Sequence, residues 1–111
     1  MSIHGVLAQS TVSDLEQALP WYTALLGRGP DAEPMPGLHE WHLGSGYGLQ
    51  VWLEPDRAGR SSVVLQESDL DAVAARLTEA GLEHPGVAPI TSGRALQLTD
   101  PDGNRVVLTG L

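Results

Sequence analysis

At 111 residues, with 41% hydrophobic residues, the chain has the length of one domain able to bury a core without staples. Cysteine is absent, excluding disulfides and thiol catalysis; with no signal segment and no apolar run near the roughly 18 residues of a membrane span, a cytoplasmic protein is expected. Six basic residues, all arginine, against fourteen acidic ones give a formal net charge of −8, which argues against nucleic acid and favours a cationic ligand if the acids gather near a cleft; solubility alone is the competing reason for such a surface.

Ile3 to Val12 reads as a strand with Leu7, Gln9 and Thr11 on one face and Ala8, Ser10 and Val12 on the other. Neither face is cleanly polar, so both are expected to be covered. Ser13-Asp14-Leu15-Glu16 then opens a helix, because a short carboxylate at the N-cap satisfies orphan N–H groups and favours the positive end of the helix dipole. Leu15, Ala18, Leu19, Tyr22, Leu25 and Leu26 form its apolar stripe, and Gly27 ends it. Pro20 cannot donate to the carbonyl of Glu16, which predicts a kink or a tight first turn. Between Gly27 and Gly37, Pro34 and Pro36 allow at most a short edge strand.

Leu38 to Leu43 and Leu49 to Leu53 read as strands joined by the glycine-rich loop Gly44 to Gly48. Glu54 to Arg60 is a natural joint. Beyond it the plan repeats: Ser62 to Gln66 as a strand, then Ser68-Asp69-Leu70-Asp71 opening a second helix with the stripe Leu70, Val73, Leu77 and Ala80, closed by Gly81. A short strand is expected near Leu82. Arg94 to Thr99 and Arg105 to Thr109 close the chain as a hairpin about Asp100-Pro101-Asp102-Gly103-Asn104. The two Ser-Asp-Leu copies stand about half the chain apart, so the reading is an α+β domain, residues 1–111, of two strand–helix–strand–strand–strand modules at about 1–56 and 60–111.

The hairpin Asp100-Pro101-Asp102-Gly103-Asn104-Arg105-Val106-Val107-Leu108 resembles the closing signature of the vicinal oxygen chelate superfamily, which includes glyoxalase I, extradiol dioxygenases, and fosfomycin- and bleomycin-resistance proteins. Val12-Ser13-Asp14-Leu15 leading to Trp21-Tyr22 and Leu25-Leu26-Gly27 resembles its opening helix. The resemblance implies two βαβββ modules whose curled mixed sheets surround a shared cavity, with helices outside. It also implies where a metal would be held: a histidine seven residues before each helix-capping aspartate, and a carboxylate on each module's last strand, seven residues after the first Asp of the Asp-Pro-Asp-Gly-Asn turn. Those positions read Leu7 and Ser62, and Val107 with, at the same step from Leu7, Trp52. Leucine, tryptophan and valine offer no oxygen or imidazole donor to a divalent metal, and a serine hydroxyl alone is a poor ligand. No metal and no cofactor is therefore expected, and the likeness is to the metal-free, bleomycin-resistance-like branch, which sequesters small molecules and is often dimeric. A homodimer is expected accordingly.

If that geometry holds, Leu7, Gln9, Thr11, Gln50, Trp52, Glu54, Ser62, Val64, Gln66, Arg105, Val107 and Thr109 face inward. Apolar walls with a few placed polar groups suit a small-molecule site. Trp52 offers a stacking plate and Glu54 a partner for a cation. The alternative is that Leu7, Val64 and Val107 simply fill a core. Separately, Glu40 and His42 share one strand face as a possible acid–base pair or a solvated surface, whereas His39 points the other way; an uncharacterised lyase- or isomerase-type enzyme using such chemistry, or metal ligands outside the usual positions, is the second functional reading. His4 and His84 are given no role. Ser45 lies in a hairpin rather than a strand-to-helix elbow, and the glycines precede no helix or lysine, so neither a nucleophile nor a phosphate loop is expected.

Overall fold

The computed structural model describes residues 2–111. In chain order it contains β1 (Val6–Val12), α1 (Leu15–Leu26), β2 (Ala32–Met35), β3 (Leu38–Gly44) and β4 (Tyr47–Leu53). A single 3-10 turn, Pro55–Arg57, leads to β5 (Ser62–Gln66), α2 (Leu70–Glu79), β6 (Ala88–Ile90), β7 (Gly93–Thr99) and β8 (Arg105–Gly110). Two four-stranded sheets result, ordered β1-β4-β3-β2 and β5-β8-β7-β6. Each is mixed: β1 runs parallel to β4 and β5 to β8, while the other pairs are antiparallel. The helix supplies the crossover that a parallel pair needs, so each module closes on itself.

Both helices start and stop for the reasons read from the sequence. The Asp14 carboxylate accepts the Glu16 N–H at 2.9 Å, and Gly27, at φ 79°, turns its N–H back to the carbonyl of Thr23. Asp69 accepts from the Ala72 N–H at 3.1 Å. The helix α1 runs through Pro20 as one element from Leu15 to Leu26. Its stripe buries Ala18, Tyr22 and Leu25 against Val12, Trp41, Leu49 and Val51, and α2 buries Leu70 and Leu77 with Leu96, Leu98, Val106 and Leu108. Each buried leucine or valine among them contributes about 1.5–3 kcal/mol of transfer free energy. Arg76 of α2 donates to the last carbonyls of α1, Ala24 at 2.7 Å and Leu25 at 2.6 Å, so one helix caps the other.

The modules are clasped by the Asp100–Asn104 turn. The Asn104 amide donates to the Thr11 carbonyl at 2.8 Å and accepts from the Ser61 N–H at 2.8 Å, and Thr11 donates its own N–H to the Ser61 hydroxyl. Asp102 takes both the N–H and the hydroxyl of Ser13. The ends of β1 and β5 are thereby pinned together.

Several expectations are corrected. The first strand begins at Val6 rather than Ile3, and β4 begins at Tyr47 because the turn narrows to Ser45-Gly46. No strand forms at Leu82; that residue is buried beneath α2, and the strand forms later, at Ala88–Ile90, where β7 offers an edge. The two outer edge strands are short and each carries a proline, Pro34 and Pro89, which blunts further pairing. The outward face of β1 is not covered: Leu7 is 43% exposed, and Gln9 is exposed beside it. Among the described residues, no helix is long and apolar enough to cross a membrane.

Candidate functional site

The open face of the first sheet gathers polar side chains from three strands. Register decides which ones meet: β1 against β4 sets Gln9 opposite Gln50 and Thr11 opposite Trp52, and β3 against β4 sets Glu40 opposite Gln50 and His42 opposite Gly48. Alternation then puts Leu7, Gln9, Gln50, Trp52, Glu40 and His42 on one surface. Gln9 Nε2 donates to Gln50 Oε1 at 2.9 Å, Gln50 Nε2 donates to Glu40 Oε2 at 2.7 Å, and Glu40 Oε1 meets His42 Nε2 at 2.9 Å. These are one continuous chain of hydrogen bonds across the sheet.

Its electrostatics centre on Glu40. The Gln50 amide and then the His42 ring bond to its charged form and hold its carboxyl below the usual glutamate range. His42 is fixed through its backbone, since its N–H donates to Asp31 Oδ2 at 2.6 Å and its carbonyl accepts from Arg28 Nη2 at 2.7 Å. Arg28 and Asp31 pair at 2.5 Å, and Trp41, fully buried beneath, donates its indole N–H to the Arg28 carbonyl at 2.8 Å. At one end of the polar chain a cavity of about 740 Å³ opens, lined by Ile3, His4, Leu7, Glu40, His42 and Tyr47 among others. Farther along β4, Trp52 donates its indole N–H to Glu54 at 3.0 Å, with Arg57 3.9 Å from the same carboxylate.

The residues expected from the sequence fall into separate groups. Gln9 and Gln50 touch; Trp52 and Glu54 touch; Leu7 lines the 740 Å³ cavity. Val64 instead lines a cleft of about 750 Å³ between the modules, with Val6, Ala8, Leu25, Leu65 and Leu108. Ser62 pairs with Arg105, and Val64 with Val107, on the corresponding face of the second sheet. Constant spacing made Trp52 the counterpart of Val107, and the ladders correct it. Val107 lies opposite Val64, as Gln50 lies opposite Gln9, so Gln50 is the equivalent position. The implied metal positions thus read Leu7, Gln50, Ser62 and Val107; Gln50 adds an amide oxygen to the Ser62 hydroxyl, but Leu7 and Val107 offer no donor and the set still holds neither carboxylate nor imidazole, so it does not fit a divalent ion. Among the described residues, no three His, Cys, Asp or Glu side chains gather as a metal site. The Arg28–Asp31 clamp escaped sequence reading; its only local signal is an opposite-charge pair three residues apart in a glycine- and proline-rich stretch.

Two mixed-sheet βαβββ modules clasped at their first strands, with polar side chains presented on the open face, define a glyoxalase-like fold. The chain belongs to the glyoxalase/bleomycin resistance protein/dioxygenase superfamily, whose family model matches residues 6–108. It is similar to a glyoxalase/bleomycin resistance protein from Catenulispora acidiphila DSM 44928, at 30% identity and a TM-score of 0.90 over 97% of this chain and 98% of that one. TnmS3, an antibiotic binding protein from Streptomyces sp. CB03234, is also 30% identical, with a TM-score of 0.80 over 98% and 97%. The fold is shared with a bleomycin-binding protein of Streptomyces verticillus solved with copper(II)-bleomycin, at 20% identity and a TM-score of 0.81 over 100% and 98%. No curated protein matches the chain.

Proposed function

We propose that this protein binds and sequesters a flat, cationic small molecule on the open face of its first sheet, and does so without a resident metal. The observation that carries the reading is the Gln9–Gln50–Glu40–His42 chain, a fixed polar strip beside Leu7, Trp52 and a cavity of about 740 Å³. Rigid polar groups set in an apolar surround orient a ligand, and an ionised carboxylate within them favours a cation. Ser62, Val64, Arg105 and Val107 stand on the matching face of the second sheet and complete the site when a second copy brings that face opposite the first. The working unit is accordingly a homodimer, in the cytoplasm, consistent with a chain that lacks cysteine. The antibiotic-binding relative supports small-molecule binding as the function.

Titration with planar cationic dyes, followed by Trp fluorescence and thermal shift, tests the reading. Saturable binding with a rise in Tm supports it, and a flat response across the panel overturns it. A second reading, acid–base catalysis, is favoured by one observation, the 2.9 Å contact of His42 Nε2 with Glu40. Turnover of a bound compound that is lost in His42→Ala would replace sequestration with that chemistry.

A further inference from the structure

We propose that the polar strip reads hydrogen-bond donors, with Gln9 Oε1 and His42 Nδ1 as the acceptors that select a planar cation bearing N–H groups over one of the same shape without them. This rests on the binding reading and adds the sense in which its hydrogen bonds run. The sense is set by Glu40, whose two oxygens are both engaged, Oε2 by Gln50 at 2.7 Å and Oε1 by His42 at 2.9 Å. A carboxylate can only accept, so both neighbours must donate. Gln50 therefore turns its amide nitrogen to Glu40 and its oxygen to β1, where that oxygen takes the Gln9 amide at 2.9 Å. The Gln9 nitrogen is thereby directed to Gln50, and its carbonyl oxygen becomes the terminus of the chain. At the other end the proton of the neutral imidazole sits on Nε2, leaving Nδ1 with a lone pair.

Every hydrogen bond of the strip thus runs toward the Glu40 carboxylate, and each end carries an unengaged acceptor, Gln9 Oε1 and His42 Nδ1, beside the second hydrogen that each amide keeps free. Glutamine alone would not do this, because an amide can run either way; the direction comes from the carboxylate. A third acceptor, Glu54, follows the end of β4, where its carboxylate takes the Trp52 indole N–H at 3.0 Å and has Arg57 3.9 Å away. An acceptor-ended strip in a chain of net charge −8 matches a ligand that is both cationic and rich in N–H. A ligand whose nitrogens are fully alkylated keeps the charge and the stacking area but leaves these acceptors desolvated and unpaired, which lowers its affinity.

Proflavine and acridine orange test this directly. Both are planar acridine monocations with the same ring N–H at neutral pH, and proflavine adds amino N–H bonds that acridine orange replaces with methyl groups. The wild-type protein is expected to bind proflavine at least about tenfold more tightly, the discrimination one or two unmet polar groups produce. Glu40→Gln frees the chain to reverse and is expected to bring the ratio within about threefold, as is Gln9→Met, which removes the terminal acceptor at similar length. Glu83→Gln, the same charge change in a distant loop, should leave the ratio unchanged. Melting curves establish that each variant is folded. Equal affinities for the two dyes in wild type, or a ratio that survives both Glu40→Gln and Gln9→Met, would overturn the donor inference while leaving cation binding intact. Binding of neither dye overturns the binding reading, and the inference with it.

Discussion

The hydroxyl of Tyr22, in the middle of α1, donates a 2.7 Å hydrogen bond to the carboxylate of Asp100 in the final hairpin, with both residues buried. Asp100 also accepts the N–H groups of Asp102 and Asn104 and the Asn104 side chain. The turn that carries the family signature is thus a clasp joining opposite ends of the chain. Its position decides how β1 lies against β5, and so how the open faces of the two sheets are disposed. Burial, reinforced by the Asp100 carboxylate, pushes the Tyr22 hydroxyl far above the usual phenol range, so it acts as a donor at every accessible pH.

Tyr22→Phe removes that donor and leaves a buried carboxylate oxygen one partner short. A loss of about 1–3 kcal/mol in unfolding free energy is expected by urea denaturation, with the m-value unchanged. A loss under a few tenths of a kcal/mol would mean that the clasp does not depend on α1.

Asn104→Asp is a sharper test, because it keeps the size of the side chain and reverses its chemistry. The Asn104 amide nitrogen lies 2.8 Å from Asp100 Oδ2, and a carboxylate placed there sets two acids against each other in a buried site. The variant should be about 3 kcal/mol or more less stable than wild type near neutral pH. One of the two carboxyls then has a folded-state pKa above its unfolded value, so its favourable protonated state is fully present at low pH and lost as pH rises through the folded value. The deficit relative to wild type should therefore narrow as pH falls towards 4. A deficit independent of pH would exclude charge repulsion as its cause.

Much of the fold is legible because it is locally written. Asp14 and Asp69 announce both helices, Gly27 and Gly81 end them, and the Asp-Pro-Asp-Gly turn closes the last hairpin. The strand expected at Leu82 fails because Leu82 is apolar for a different reason, as part of the core, whereas the strand at Ala88–Ile90 holds a proline and exists only by pairing with β7. The site is legible in halves. Glu40 and His42 share a strand face by simple alternation, and the family resemblance turns Gln9 and Gln50 inward. That the pairs join depends on the registers of β1, β3 and β4, which no single stretch encodes. The same dependence made Trp52, rather than Gln50, the counterpart of Val107: the loops of the two modules differ in length, so constant spacing slips by one residue pair on the same face.

Gly48 tests how closely that face is packed. It sits between Leu7 and His42 in the sheet, and a Cβ added there would lie 2.3 Å from the Trp41 carbonyl oxygen. Neither backbone can yield without disturbing the ladder, so Gly48→Ala should cost about 1–3 kcal/mol. Gly29, with nothing near its missing Cβ and no positive φ, is the control, and Gly29→Ala should be neutral or stabilising by up to about 1 kcal/mol. Equal stabilities of the two variants would show that the first sheet relaxes around position 48.

Glu40 supplies a prediction in pH. Gln50, and then His42, bond to its charged form and lower its pKa in the folded chain. A depressed folded value means the contribution is present above the unfolded glutamate range and is lost as pH falls through the folded value. Near neutral pH, Glu40→Gln should lower Tm by a small amount, on the order of 1–2 °C, because solvent screens a group this near the surface. As pH falls below the usual glutamate range and through the depressed folded value, the two melting curves should converge, since wild-type Glu40 then becomes protonated and resembles the glutamine. Melting temperatures across this range check the prediction. A gap that persists or widens once pH has fallen through that value would mean that Glu40 is held by its shape rather than its charge, and the fixed direction of the polar strip would lose its cause.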